Sequence, residues 1–156
     1  EKRELEGVLG DEVLGVRQHY LNLEVPRTWE IQAGLGFLYD STLALKRGVG
    51  FPGGRYRPFL PLPGRRFVEV PVTVMDINLF REARGDPGVA FKIIHKIYDE
   101  AEERGALVTL IWHQRVFNEE EFPGWSEVYR RAVLEARRRG AWIARAVDVA
   151  RWCLGE

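Results

Sequence analysis

A chain of 156 residues, 46% of them apolar, is long enough to bury a core, and a single domain over residues 1–156 is expected. Its 23 basic and 23 acidic residues cancel, which removes the net field that would argue for nucleic acid, an acidic polymer or a membrane surface as partner. No apolar run approaches the roughly 20 residues that span a bilayer, the opening Glu1-Lys2-Arg3-Glu4 is unlike a secretory signal, and the lone Cys153 cannot close an internal disulfide. A soluble, cytoplasmic protein with a buried thiol is the expectation.

In chain order, Lys2 to Leu9 predicts a short helix stopped by Gly10, and its charged first turn resembles a helix already under way, so a segment ahead of Glu1 is expected. Glu12 to Arg17 predicts a short strand. Pro26 suits a first helical position, and Trp29, Ile31, Ala33 and Leu35 supply apolar surface to a helix ended by Gly34 and Gly36. Phe37 to Asp40 predicts a strand start. Residues 46–64 are dense in glycine, proline and arginine and read as one long working loop.

Phe67 to Met75 predicts one strand, with Pro71 marking an edge or a bulge. Asp86-Pro87 predicts an N-cap and a proline at the first helical position, and Ala90, Ile93, Ile94, Ile97 and Ala101 recur at helical spacing up to Gly105. Leu107 to Trp112 is continuously apolar, as a strand covered on both faces is. A helix over Trp125 to Ala136 closes at Gly140, Ala141 to Ala144 reads as a short strand, and Val147 to Trp152 as a last helix. The alternation predicts an α/β fold, a partial or distorted (β/α) barrel.

In parallel βα architectures the strand C-termini face the ligand. Arg17, Asp76 and His113 all fall at such ends, and a shared mouth for them is expected. A histidine can pass a proton to a leaving group, a neighbouring carboxylate can hold it charged, and an arginine can orient a second carboxylate. The same residues also suit a structural histidine, a salt bridge and a cap, and composition alone leaves both readings open.

Five ordered segments carry a resemblance. They are Gly15-Val16-Arg17-Gln18-His19-Tyr20-Leu21, Phe37-Leu38-Tyr39-Asp40-Ser41-Thr42-Leu43, Tyr56-Arg57-Pro58-Phe59, Val70-Pro71-Val72-Thr73-Val74-Met75-Asp76 and Thr109-Leu110-Ile111-Trp112-His113. Together they resemble the later half of the polysaccharide deacetylase (NodB-homology, carbohydrate esterase family 4-like) domain, and Trp125 to Trp152 resembles its final helix, strand and helix. The resemblance implies a barrel of the glycoside hydrolase/deacetylase type lacking its N-terminal strands. It implies hydrolysis of N-acetyl groups on amino sugars, with His113 as general acid, Asp76 as its partner and Arg17 as the residue that orients the base. It places Leu110 beneath the acetyl methyl, and Tyr20, Arg57 and Trp112 are the further substrate contacts expected beside it. His19 and Leu21 stand where the family commonly has proline and glycine, and Asp76 to Phe80 lacks the second aspartate and tryptophan of the usual motif.

The family's aspartate pair and its histidines spaced four apart are missing from the sequence. Zinc or another divalent metal is therefore expected only in a complete domain, with no metal ligand in this chain and little activity from the chain alone. The expected partners are an N-acetylated glycan and either a missing N-terminal half or a second copy covering unpaired strand edges. The alternative is a noncatalytic glycan-binding or structural relative.

Overall fold

The computed structural model describes all of residues 1–156, which form six α-helices and five very short strands. The helices are α1 (Lys2–Leu9), α2 (Arg27–Gly34), α3 (Asp76–Glu82), α4 (Pro87–Arg104), α5 (Trp125–Arg138) and α6 (Ala146–Cys153). The strands are β1 (Gly15–Val16), β2 (Tyr39–Asp40), β3 (Val68–Glu69), β4 (Val74–Met75) and β5 (Leu110–Ile111). All strand pairs are parallel, in a β1-β2-β3 sheet and a β4-β5 sheet, and neither closes into a barrel. The chain divides into two compact units, the first made of Glu1–Leu43, Arg57–Pro71 and Ala144–Glu156, the second of Ala44–Tyr56 and Val72–Ile143.

In the first unit α1 stops where expected, because Gly10 takes the left-handed conformation (φ 68°) and returns its amide to the Glu6 carbonyl. The three-stranded sheet sets Val16 opposite Asp40 and Asp40 opposite Glu69. Gly15 is required there by its neighbour: a Cβ at that position would lie 2.0 Å from Cζ of Tyr39, its register partner. Trp29 on α2 joins Leu62 and Phe67 in a small apolar cluster, with Leu23, Ala33, Phe37 and Phe59 packed against it.

The larger core belongs to the second unit. The side chain of Asp86 caps α4 by accepting the amides of Gly88 and Val89, Pro87 begins the helix, and Gly105 ends it in the left-handed conformation. The helical spacing of Ala90, Ile94 and Ile97 turns one stripe of α4 inward, where Val128 and Ala132 of α5 join the same cluster. Tyr98 Oη donates to the Ala132 carbonyl at 3.0 Å and ties the two helices. Trp125 is fully buried against Phe80, with ring centroids 5.0 Å apart.

Four segments differ from expectation. Phe67 to Met75 is two strands in two sheets, since Pro71 has no amide for a ladder and the chain changes unit there. The α3 helix follows β4 at once, although its N-cap, Met75, offers no side-chain acceptor to announce it. Leu107 to Trp112 is half-buried rather than covered, because β5 has β4 as its one neighbour and both edges of that sheet end there. Ala141 to Ala144 forms no strand: it has no sheet partner, and Trp142 and Ile143 are exposed. Cys153 is half-buried, which raises its thiol pKa. No helix is long and apolar enough to cross a membrane.

Candidate active site

Parallel pairing sets Val74 opposite Leu110 and Met75 opposite Ile111, so β4 and β5 end at the same level. Asp76 follows β4 directly and His113 lies just beyond β5, which brings two residues far apart in sequence side by side. Nδ1 of His113 is 2.8 Å from Oδ1 and 2.9 Å from Oδ2 of Asp76. The carboxylate is fully buried, whereas the imidazole is 52% exposed.

Burying a carboxylate costs several kcal/mol unless donors surround it. Here Oδ1 accepts the amide of Ile77 at 2.6 Å and Oδ2 the amide of His113 at 2.5 Å. A carboxylate that accepts two backbone N–H groups is an acceptor toward the ring as well, so Nδ1 carries the hydrogen and donates it. Nε2 has no protein partner and is left free for a hydrogen bond outside the pair. The pair is a histidine oriented and electrostatically supported by a buried aspartate, as general acid–base chemistry requires.

Arg17 lies in the first unit, just past β1. Its Nε donates to the Ser41 carbonyl at 2.7 Å and its Nη2 to Ser41 Oγ at 3.0 Å. Burial of the guanidinium lowers its pKa, and Tyr39, Asp40 and Glu69 oppose that shift. Two of those residues form a second acidic centre that the sequence reading passed over. Asp40 and Glu69 are register partners on β2 and β3, both fully buried. Burial first, then the charge of Asp40, pushes the Glu69 carboxyl up to about 9.

Glu69 accepts the indole N–H of Trp29 at 2.8 Å and the amide of Leu43 at 3.1 Å, while Asp40 Oδ1 accepts from Thr42 Oγ1 at 2.5 Å and from Gln32 Nε2 at 3.2 Å. Asp40 Oδ2 is buried without a hydrogen-bond partner, and burial together with the neighbouring Asp40 charge keeps a proton on Glu69. The signal for this pair was present: an acidic residue inside each of the apolar runs Phe37 to Asp40 and Phe67 to Met75.

The remaining candidate residues fall in both units. In the first, Tyr20 is 89% exposed, has a left-handed backbone (φ 58°), as has Leu21 after it, and leans on His19 with ring centroids 4.2 Å apart. Arg57 is exposed. In the second, Leu110 and Trp112 pack against the main core; the Trp112 ring lies 6.0 Å from Trp125 and 5.5 Å from Tyr129, and its Nε1 is buried without a hydrogen-bond partner. His95 on α4 meets Nη2 of Arg139 at 2.9 Å through Nδ1.

The divalent metal implied by the deacetylase resemblance does not fit the side chains present. Nowhere do three His, Cys, Asp or Glu side chains converge, and the one accessible histidine of the pair commits Nδ1 to Asp76. Against known protein families, curated proteins and solved structures, the chain has no match.

Proposed function

We propose that this chain is the proton-donating portion of a polysaccharide deacetylase-like hydrolase, with its parallel βα units derived from a partial barrel of that type. The Asp76–His113 pair carries the reading: a buried carboxylate holds a half-exposed imidazole at the C-terminal ends of two parallel strands, where the resemblance independently assigns the general acid. In the step assigned to the chain, water has already added to the acetyl carbonyl of an N-acetylated amino sugar; the amide C–N bond of the adduct breaks, the acetyl carbon leaves as acetate, the electron pair goes to nitrogen, and His113 Nε2 delivers a proton to the departing amine. Asp76 stabilises the imidazolium before transfer through the Nδ1–H bond. Activation of water is no part of this chain's role, and Arg17, in the deacetylase reading, orients a base supplied by the family's missing early motifs.

Acetate release from N-acetylglucosamine oligomers tests the reading, measured on the chain combined with a deacetylase segment that supplies the aspartate pair and spaced histidines. His113→Ala lowers kcat by about 10²–10⁴-fold, the usual range for a positioned acid. Acetate release that survives His113→Ala unchanged would sink the assignment. A second reading, glycan binding without hydrolysis, is favoured by the lack of a metal-ligand cluster and by the exposed ring of Tyr20. Glycan-array binding with no acetate release under any combination would select it.

A further inference from the structure

The second unit contains a cleft of about 350 Å³ lined by Arg47, Gly48, Asn78, Arg81 and Glu82. Two of its lining side chains, Asn78 and Glu82, are tied to the loop that carries Arg47. Asn78 on α3, only 4% exposed, donates through Nδ2 to the Leu45 carbonyl at 3.3 Å. Glu82 accepts the Val49 amide at 3.1 Å, and the loop comes so near that a Cβ on Gly48 (φ 74°) would sit 3.1 Å from Glu82 Oε2. Asn78 and Arg81 are three apart on α3 and so share a face. The same helix begins with Asp76 of the proton-donating pair.

The chemistry of the lining is mixed. Arg47 and Arg81 are exposed and neither is ion-paired, so two guanidinium forks border a space whose one carboxylate is Glu82. Beside them, Asn78 has an uncommitted side-chain oxygen and Glu82 a second carboxylate oxygen, both acceptors. Two cations alone suit any small anion; two cations with two neutral or anionic acceptors suit an anion that also carries hydroxyl donors. We propose that this cleft binds a carboxylate-bearing sugar, with Arg47 and Arg81 on the carboxylate and Asn78 and Glu82 on hydroxyls. The inference deepens the glycan-directed reading above and rests on it: the polymer is an acidic one, in which a uronate-type residue neighbours the N-acetylated sugar.

Isothermal titration of the intact chain tests it with a hyaluronan hexasaccharide, which alternates glucuronate and N-acetylglucosamine, against neutral chitohexaose and inorganic phosphate. The acidic hexasaccharide binds about tenfold or more tighter than the neutral one, and Arg47→Gln and Arg81→Gln each weaken it about fivefold, a value discounted for solvent exposure. Affinity also falls as salt shortens the screening length. Both arginines are exposed, and unchanged circular dichroism confirms that the variants fold. Equal affinity for the two hexasaccharides, no binding of either, indifference to Arg81→Gln, or phosphate binding as tightly as the acidic sugar each overturns the proposal. Arginine-dependent binding without acetate release in the combined assay overturns the hydrolase reading alone; acetate release with arginine-independent binding overturns the cleft alone.

Discussion

Replacing Asp40 by asparagine should reduce the pH dependence of the first unit's stability, because the Asp40 charge is the second cause, after burial, that holds the Glu69 carboxyl up. Glu69 is held at about 9 in the folded chain, against an ordinary value of 4.5. Between those values the unfolded chain has released the Glu69 proton and the folded chain keeps it, so stability falls as pH rises. The contribution is fully present below about pH 4.5 and lost progressively up to about 9. One proton corresponds to about 1.4 kcal/mol per pH unit, or about 3 kcal/mol between pH 6 and pH 8. In Asp40→Asn the side-chain oxygen still accepts from Thr42 and Gln32, and the neutral amide removes the charge that opposes ionisation of Glu69. Glu69 then ionises at a lower pH, although burial still holds it up, and the slope becomes shallower. Urea unfolding followed at the Trp29 indole N–H, which donates to Glu69, reads this unit directly. A wild-type stability that is level or rises from pH 6 to pH 8 would refute the proton retained on Glu69, and a variant that parallels the wild type would refute the part assigned to Asp40.

Two packing predictions follow from the same geometry. Gly15→Ala places a Cβ 2.0 Å from the Tyr39 ring and costs about 1–3 kcal/mol in thermal unfolding, and the added Tyr39→Ala change recovers part of that loss by removing the clash; additive losses would count against the contact. Trp125→Ala empties a fully buried site between Phe80 and Trp112 and costs about 3–5 kcal/mol in chemical denaturation, whereas a loss below 1 kcal/mol would mean that the second unit's core lies elsewhere.

The helices marked by local chemistry were legible in the sequence. Asp86, Pro87 and Gly105 bracket α4 because caps act within a turn of the helix end, and Gly10 closes α1 for the same reason. Where the outcome depended on a distant partner, the residues were insufficient. Nothing within Phe67 to Met75 says that its two halves join different sheets, and nothing in Ala141 to Ala144 says that no strand lies beside it. The Asp76–His113 contact depends on the register of β4 against β5, yet both residues could be flagged because each terminates an apolar run at the end where such folds bind ligands. The Asp40–Glu69 pair went unread although each carboxyl sits in an apolar strand, a placement that demands either a partner or a proton. Arg17, expected at a common mouth, belongs to the first unit and is anchored on Ser41.

The claim on which the functional reading stands is that Asp76 fixes the tautomer of His113 and leaves Nε2 to act. Long-range nitrogen–proton NMR of the imidazole, recorded above the histidine titration, measures this directly. Neutral His113 is expected to carry its hydrogen on Nδ1, with an Nε2 shift typical of a bare lone pair, and Asp76→Asn to abolish this preference. A neutral His113 protonated on Nε2 in the unsubstituted chain would contradict it.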